Sequence, residues 1–120
     1  MSVAYKILGQ KQPATSYETL YKVPTEPDDK FASRNVRKTF VTNITVCNFS
    51  LAVNRTYSIR VVPKNETASD KHLIVSAKDI NSRKIDFLPM KLMLSSGDKV
   101  EVKLNGSAVV AVSAFGFEVF

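Results

Sequence analysis

The sequence predicts an all-β fold: a jelly-roll-like antiparallel β-sandwich of about eight strands, forming a single domain over residues 1–120. Short runs rich in Val, Ile, Thr and Tyr alternate apolar with polar residues, as half-buried strands do. Polar or glycine-containing turn segments separate these runs every 8–12 residues or so. No run shows the 3.6-residue period of an amphipathic helix. With 44% hydrophobic residues, the chain can build one core.

The alternation places the strands in chain order, and turn residues separate them. Gly9 and Pro13 are expected to end the first strand. The third and fourth strands are close in sequence and are expected to pair as a hairpin. The predicted strands are residues 3–10, 17–23, 39–49, 55–63, 72–77 and 85–94, followed by the two strands of a closing hairpin within residues 100–120.

The closing hairpin has the clearest turn signal in the chain, Asn105-Gly106, because both residue types tolerate the positive φ of a two-residue turn. Its return strand is apolar in both registers. We expect the register of Phe115 to face the core. The other register is a candidate assembly surface, since a strand that is apolar on both faces is covered either by a second layer or by a subunit. The surface candidates in that register are Val110, Val112 and Phe120.

Residues 24–38 form the irregular part of the sequence, where prolines and adjacent aspartates disfavour a strand. A loop of about 15 residues in a compact domain is usually either functional or disordered, and both alternatives are open here. An apolar anchor and three cations make this loop the second candidate assembly surface. These residues are Phe31, Arg34, Arg37 and Lys38.

The composition contains few groups that could carry chemistry. With one Cys and one His, no intrachain disulfide, metal site or cofactor is expected. Cys47 lies in an alternating apolar run and is expected to be a buried or half-buried structural thiol. His72 is expected to be a structural residue on a strand. The four glycines form no phosphate-binding loop. Because the sequence shows no catalytic constellation, we expect no enzymatic activity.

The charge distribution limits the partners. The net charge is +6, but Lys and Arg are scattered along the chain. Scattered charge favours a solvated basic surface, or one facing an acidic protein, and argues against nucleic-acid binding. The sequence has neither a signal peptide nor a membrane-spanning run, so no membrane association is expected.

A series of short segments begins with AYKILGQ and ends with SAFGFEV. In their order along the chain, these segments resemble the small β-sandwich structural proteins of tailed bacteriophages, and the chain departs from that family's pattern at residues 24–38. The segments are residues 4–10, 19–24, 46–48, 57–63, 71–75, 94–102 and 113–119.

The resemblance implies a non-enzymatic virion protein that is assembled in the host cytoplasm. It would form a homo-oligomer and bind other virion proteins at the neck, tail or baseplate. Edge strands and loops are the expected contacts, because an unpaired strand edge is a template for association. The alternatives are a capsid decoration protein and a receptor- or carbohydrate-binding β-sandwich module.

Overall fold

A computed structural model of the chain describes residues 3–24 and 38–120. These residues form eight β-strands, and the only helical element among them is the 3-10 turn Asp70–His72. The predicted all-β fold and strand number are therefore confirmed. The strands are β1 (Val3–Lys11), β2 (Glu18–Lys22), β3 (Lys38–Asn48), β4 (Arg55–Val62), β5 (Leu73–Ile80), β6 (Ile85–Ser95), β7 (Lys99–Leu104) and β8 (Val110–Val119).

The strands form two antiparallel four-stranded sheets that pack as a sandwich. One sheet has the order β1-β8-β3-β6 and is called the β8 sheet below. The other has the order β2-β7-β4-β5 and is called the β7 sheet. The chain changes sheet at every connection except the one between β4 and β5. This is the strand order of a jelly roll, in which two Greek keys wrap around one core.

Both predicted hairpins are wrong, because each pair of strands is split between the two sheets. β3 and β8 lie in the β8 sheet, whereas β4 and β7 lie in the β7 sheet. Neither Asn105 nor Gly106 has the positive φ that the predicted turn requires. Asn105 instead extends the pairing with β4: its N–H donates to the Thr56 carbonyl at 3.1 Å. Its Oδ1 accepts from the Thr56 N–H at 2.9 Å.

The core lies between the sheets, and β8 turns the register opposite to the expected one toward it. Val110, Val112 and Ala114 are fully buried. Phe115 and Phe117 point to the outer side and are half-buried. Val110 and Val112 are therefore core residues, and their assignment to an assembly surface is wrong. A period of two shows that a strand has two faces but does not show which face points inward.

A β-bulge in β3 explains a second change of face. The alternation groups Phe40 with Ile44 and Val46, but the pairing register shifts between Val41 and Asn43. A bulge inserts one extra residue, so the positions before it change sides. Val41 is consequently buried with Ile44 and Val46. Phe40 lies on the outer side, where it pairs with Phe117.

Gly9 does not end the first strand, because β1 continues through it to Lys11 with a register shift between Ile7 and Gly9. A Cβ at this position would overlap the backbone carbonyl of Leu20 on β2. The glycine therefore allows the edge strands of the two sheets to approach each other closely. His72 belongs to the 3-10 turn, and β5 begins one residue later.

Candidate assembly surface

The outer side of the β8 sheet carries apolar side chains on all four of its strands, with polar ones such as Asn43, Thr45 and Ser113 among them, and we call it the apolar face. Cross-strand pairs define it: Tyr5 lies opposite Phe117, Phe117 opposite Phe40, and Phe40 opposite Met93. Partners in a cross-strand pair share one side of the sheet. Its apolar residues include Val3, Tyr5 and Ile7 of β1, Phe115, Phe117 and Val119 of β8, Phe40 and Cys47 of β3, and Ile85, Phe87, Pro89 and Met93 of β6.

The edge strands of the apolar face are the most exposed part of it. Six large apolar side chains of β1 and β6 each expose between 52% and 71% of their surface. In a two-layer antiparallel sandwich, the outer faces normally carry polar residues. These exposed side chains are Val3, Tyr5, Ile7, Ile85, Phe87 and Met93.

Three aromatic rings cross the apolar face in one row. The ring centroids of Tyr5 and Phe117 are 6.3 Å apart, with an interplanar angle of 26°. Those of Phe40 and Phe117 are 4.9 Å apart, with an angle of 24°. The Tyr5 hydroxyl also lies 3.3 Å from Thr42 Oγ1. Aromatic pairs of this kind contribute energy beyond their buried area.

The area of the apolar face follows from strand geometry. A rise of about 3.3 Å per residue and a strand spacing of about 4.8 Å give a four-stranded face of roughly 600–700 Å². The largest exposed patch on a typical monomer is about 300–600 Å². A protein–protein interface of standard size buries about 800 Å² per partner. The area of the apolar face therefore approaches that of a standard interface.

The apolar face carries little charge. Of the described residues that point outward from its four strands, Lys38 and Lys91 are charged. Lys38 lies at the start of β3, and Lys91 lies on the edge strand β6. The two central strands carry no charged outward side chain between Phe40 and Cys47 or between Ala111 and Val119. Charge is thus confined to the rim.

The outer side of the β7 sheet has the opposite character, and we call it the basic face. On β7, Lys99, Glu101 and Lys103 point outward, between the buried residues Val100, Val102 and Leu104. Glu101 accepts from Arg60 Nε at 2.7 Å and pairs with Lys99 Nζ at 3.2 Å. The Arg60 guanidinium and the Lys103 ammonium lie 3.6 and 4.8 Å from the centroid of the Tyr17 ring. Cations therefore outnumber acids here.

A shallow pocket of about 410 Å³ at one end of the basic face is lined by Lys22, Lys64 and Lys99. Its acidic residue, Glu66, is already paired with Lys71 and His72. The hydrogen bond from His72 and the contact with Lys71 hold the pKa of the Glu66 carboxyl below its usual value. The pocket is therefore a positively charged surface feature.

The single histidine has a structural role in the connection between β4 and β5. Its Nδ1 accepts from the Ser69 N–H at 3.0 Å, which leaves the proton on Nε2. Nε2 then donates to Glu66 Oε1 at 3.1 Å. His72 is also buried. Both ring nitrogens are thus committed to the turn that leads into β5.

Cys47 is half-buried on the apolar face, opposite Ala111 and Ile85, as expected for a structural thiol. Within residues 3–24 and 38–120, no group of three or more His, Cys, Asp or Glu side chains is arranged to hold a metal ion. In the same ranges, no helix is long and apolar enough to cross a membrane.

The structure separates the residues proposed from sequence. Phe31, Arg34 and Arg37 lie outside the described residues. Lys38 is exposed at the rim of the apolar face, and Phe120 is half-buried after the end of β8. Residues 110 and 112 are in the core, as described above.

Sequence reasoning missed the contribution of β1 and β6 to this surface. A signal was present, because β6 (IDFLPMKLMLS) is apolar in both registers. Leu88, Met90, Leu92 and Leu94 follow the inward register that the alternation predicts. Phe87 and Met93 fill the other register, which faces solvent.

Comparisons with protein-family models, with curated proteins and with solved structures find no match to this chain.

Proposed function

We propose that this chain is a non-enzymatic structural protein of a tailed-bacteriophage virion, a small subunit that assembles in multiple copies at the neck, tail or baseplate. The observation that carries the proposal is the apolar face, on which large apolar side chains from all four strands lie on an outer sheet surface of roughly 600–700 Å². Jelly rolls are a recurrent architecture of viral capsid proteins. The order of the sequence segments that resemble phage structural proteins supplies the viral context.

We assign assembly to the apolar face rather than to strand edges. The edge strand β6 carries Pro89, which lacks an N–H, and the exposed Lys91. Both are devices by which proteins discourage edge-to-edge pairing. At the other edge of the sheet, β1 bulges at Gly9 toward the β7 sheet. The face offers a larger and less obstructed contact than either edge.

The two principal groups that could serve nucleophilic or acid–base chemistry have structural surroundings, which supports a non-enzymatic role. His72 uses both ring nitrogens in a turn, and Cys47 lies between apolar neighbours on the apolar face. A catalytic base would need a free ring nitrogen within hydrogen-bond reach of a substrate.

Mass spectrometry of purified particles of the virus that encodes this chain tests the proposal. We expect the chain to be present in a fixed multiple of copies per particle. Cryo-electron microscopy of the same particles then distinguishes the neck, tail or baseplate from the capsid surface, where a decoration protein would lie. Absence of the chain from infectious particles would overturn the proposal.

A further inference from the structure

We infer that the apolar face binds the apolar face of a second copy of this chain, so that the assembling unit is a face-to-face dimer with a two-fold axis. This inference rests on the proposed function in that it names the first partner within the assembly. Its basis is the difference between the two outer faces of the sandwich.

The difference between the two faces decides how copies can meet. If the apolar face of one copy contacted the basic face of the next, apolar side chains would cover Arg60, Lys99 and Lys103 and remove their solvation. Such a head-to-tail contact would also leave one apolar face uncovered at the end of every array of copies. Face-to-face contact covers both apolar faces at once. Such an isologous contact closes at two copies.

Charge also favours a second copy over an acidic partner at this surface. The chain has a net charge of +6, so two copies repel each other over most of their surfaces. The centre of the apolar face is free of charged side chains, and an approach there brings no like charges into contact. An acidic partner would be attracted to the basic face instead, where Lys22, Lys64 and Lys99 converge.

The shape of the face fits a second sheet. Two sheets pack at a separation of about 10 Å when apolar side chains fill the space between them. The row of Tyr5, Phe117 and Phe40 runs across three strands, and Met93 continues it on the fourth. With roughly 600–700 Å² on each copy, the contact approaches the standard interface size of about 800 Å² per partner.

The experiment measures the mass of the full chain by light scattering and its dissociation constant by sedimentation equilibrium. We expect the wild type to be a dimer. Phe87→Glu and Tyr5→Glu place a charge on exposed positions of the apolar face, and each is expected to weaken association by at least about 30-fold. The matched control is Thr19→Glu, which adds the same charge at an exposed strand position of the basic face. It is expected to leave the dissociation constant within about threefold of the wild type.

The orientation of the two copies is tested by distances between paired spin labels in the Cys47→Ala background. Labels at Lys91→Cys, on the rim of the apolar face, are expected to lie closer together than labels at Lys22→Cys, on the basic face. The basic faces are separated by three sheet-to-sheet gaps of about 10 Å, whereas the apolar faces are separated by one. The opposite order of the two distances would overturn the inference.

The remaining outcomes separate this inference from the proposed function. A wild-type monomer at all concentrations overturns the dimer, even if the chain is found in particles. If such a monomer binds another virion protein or a lipid vesicle through residues 5 and 87, that partner is the occupant and the dimer is excluded. A dimer that Phe87→Glu dissociates supports the inference, even if particles lack the chain and the virion proposal falls.

Discussion

The hydroxyl of Tyr21, on β2, donates a 2.6 Å hydrogen bond to Glu118 Oε2, on β8, and so connects the two sheets of the sandwich through buried side chains. Glu118 Oε1 accepts from Lys6 Nζ at 3.0 Å, and the Tyr21 hydroxyl also lies 2.8 Å from Thr39 Oγ1. The carboxylate thus has a partner on each oxygen. A buried charge is tolerated only when it is paired and hydrogen-bonded in this way.

This network, together with Tyr57, predicts a loss of stability at alkaline pH. Burial and the hydrogen bond to Glu118 raise the pKa of Tyr21, and burial and the hydrogen bond to Asp86 raise the pKa of Tyr57. The folded state therefore retains phenolic protons that the unfolded chain releases above a pKa of about 10. The stabilisation is complete below that pH and decreases as the pH rises through the folded-state pKa values.

Urea unfolding between about pH 8 and pH 11.5 measures this effect. We expect Tyr21→Phe to lower stability by about 1–3 kcal/mol at neutral pH, because Glu118 and Thr39 lose a partner. We also expect its stability to fall less steeply with pH than that of the wild type. Equal slopes for the two proteins would contradict the role assigned to this phenol.

The register of β8 is tested by placing the same charge on its two faces. Val112 is fully buried between the sheets, so Val112→Asp is expected to prevent folding, since an unpaired buried charge costs several kcal/mol. Phe115→Asp changes a half-buried outward residue and is expected to fold, with its thermal midpoint lowered by several degrees. Circular dichroism and thermal melting of both variants decide the matter. If Val112→Asp folds and Phe115→Asp does not, the register expected from sequence is correct and the one described here is wrong.

The glycine of the SAFG segment has a steric role that can be tested. A Cβ at Gly116 would overlap the carbonyl oxygen of Phe40, which belongs to the rigid backbone of β3 beside its bulge. Gly116→Ala is therefore expected to destabilise the protein by about 1–3 kcal/mol or more. The matched control is Gly106→Ala, whose Cβ would meet the guanidinium end of Arg55 at 2.7 Å. That side chain is flexible and can move, so the control is expected to cost less; the two urea midpoints give the comparison.

Asn48 holds the connection between β3 and β4 and is fully buried. Its Nδ2 donates to the carbonyls of Val53 and Ile80 at 2.9 and 3.0 Å, and its Oδ1 accepts from the Ser50 N–H at 3.0 Å. Asn48→Ala leaves these backbone groups without their partner and is expected to cost about 2–4 kcal/mol, because buried unsatisfied groups are expensive. Chemical denaturation measures the change. Asn54→Ala, at an exposed position with one hydrogen bond to the Ser82 N–H, is expected to cost less than half as much.

The strands could be located from sequence because a strand's alternation is a local property. The predicted strand at residues 55–63 differs from β4 by one residue, and the one at 85–94 differs from β6 by one. Strand pairing was not local in this sense. Asn105-Gly106 predicts a hairpin, but both strands that it connects turn buried apolar side chains inward, and each lies in a different sheet.

The sequence predicted the type of candidate site, an assembly surface, but not most of the residues that form it. The two-sided apolarity of β8 predicts an assembly surface on one of its faces, and the outer side of β8 lies in the middle of the apolar face. The face itself could not be assigned, because Val112 and Phe115 are both apolar and a period of two does not distinguish inside from outside. The bulge that carries Phe40 to the outer side has no signature in the local sequence.

The sequence by itself determined the all-β class, the number of strands, their approximate bounds and the scarcity of groups that carry chemistry. These follow from residue type and short-range period. Tertiary structure alone decided the strand order, the inward register of β8 and the joining of residues from four strands into one apolar face. Those features depend on which strands lie side by side, and that is set by burying one common core over the whole chain.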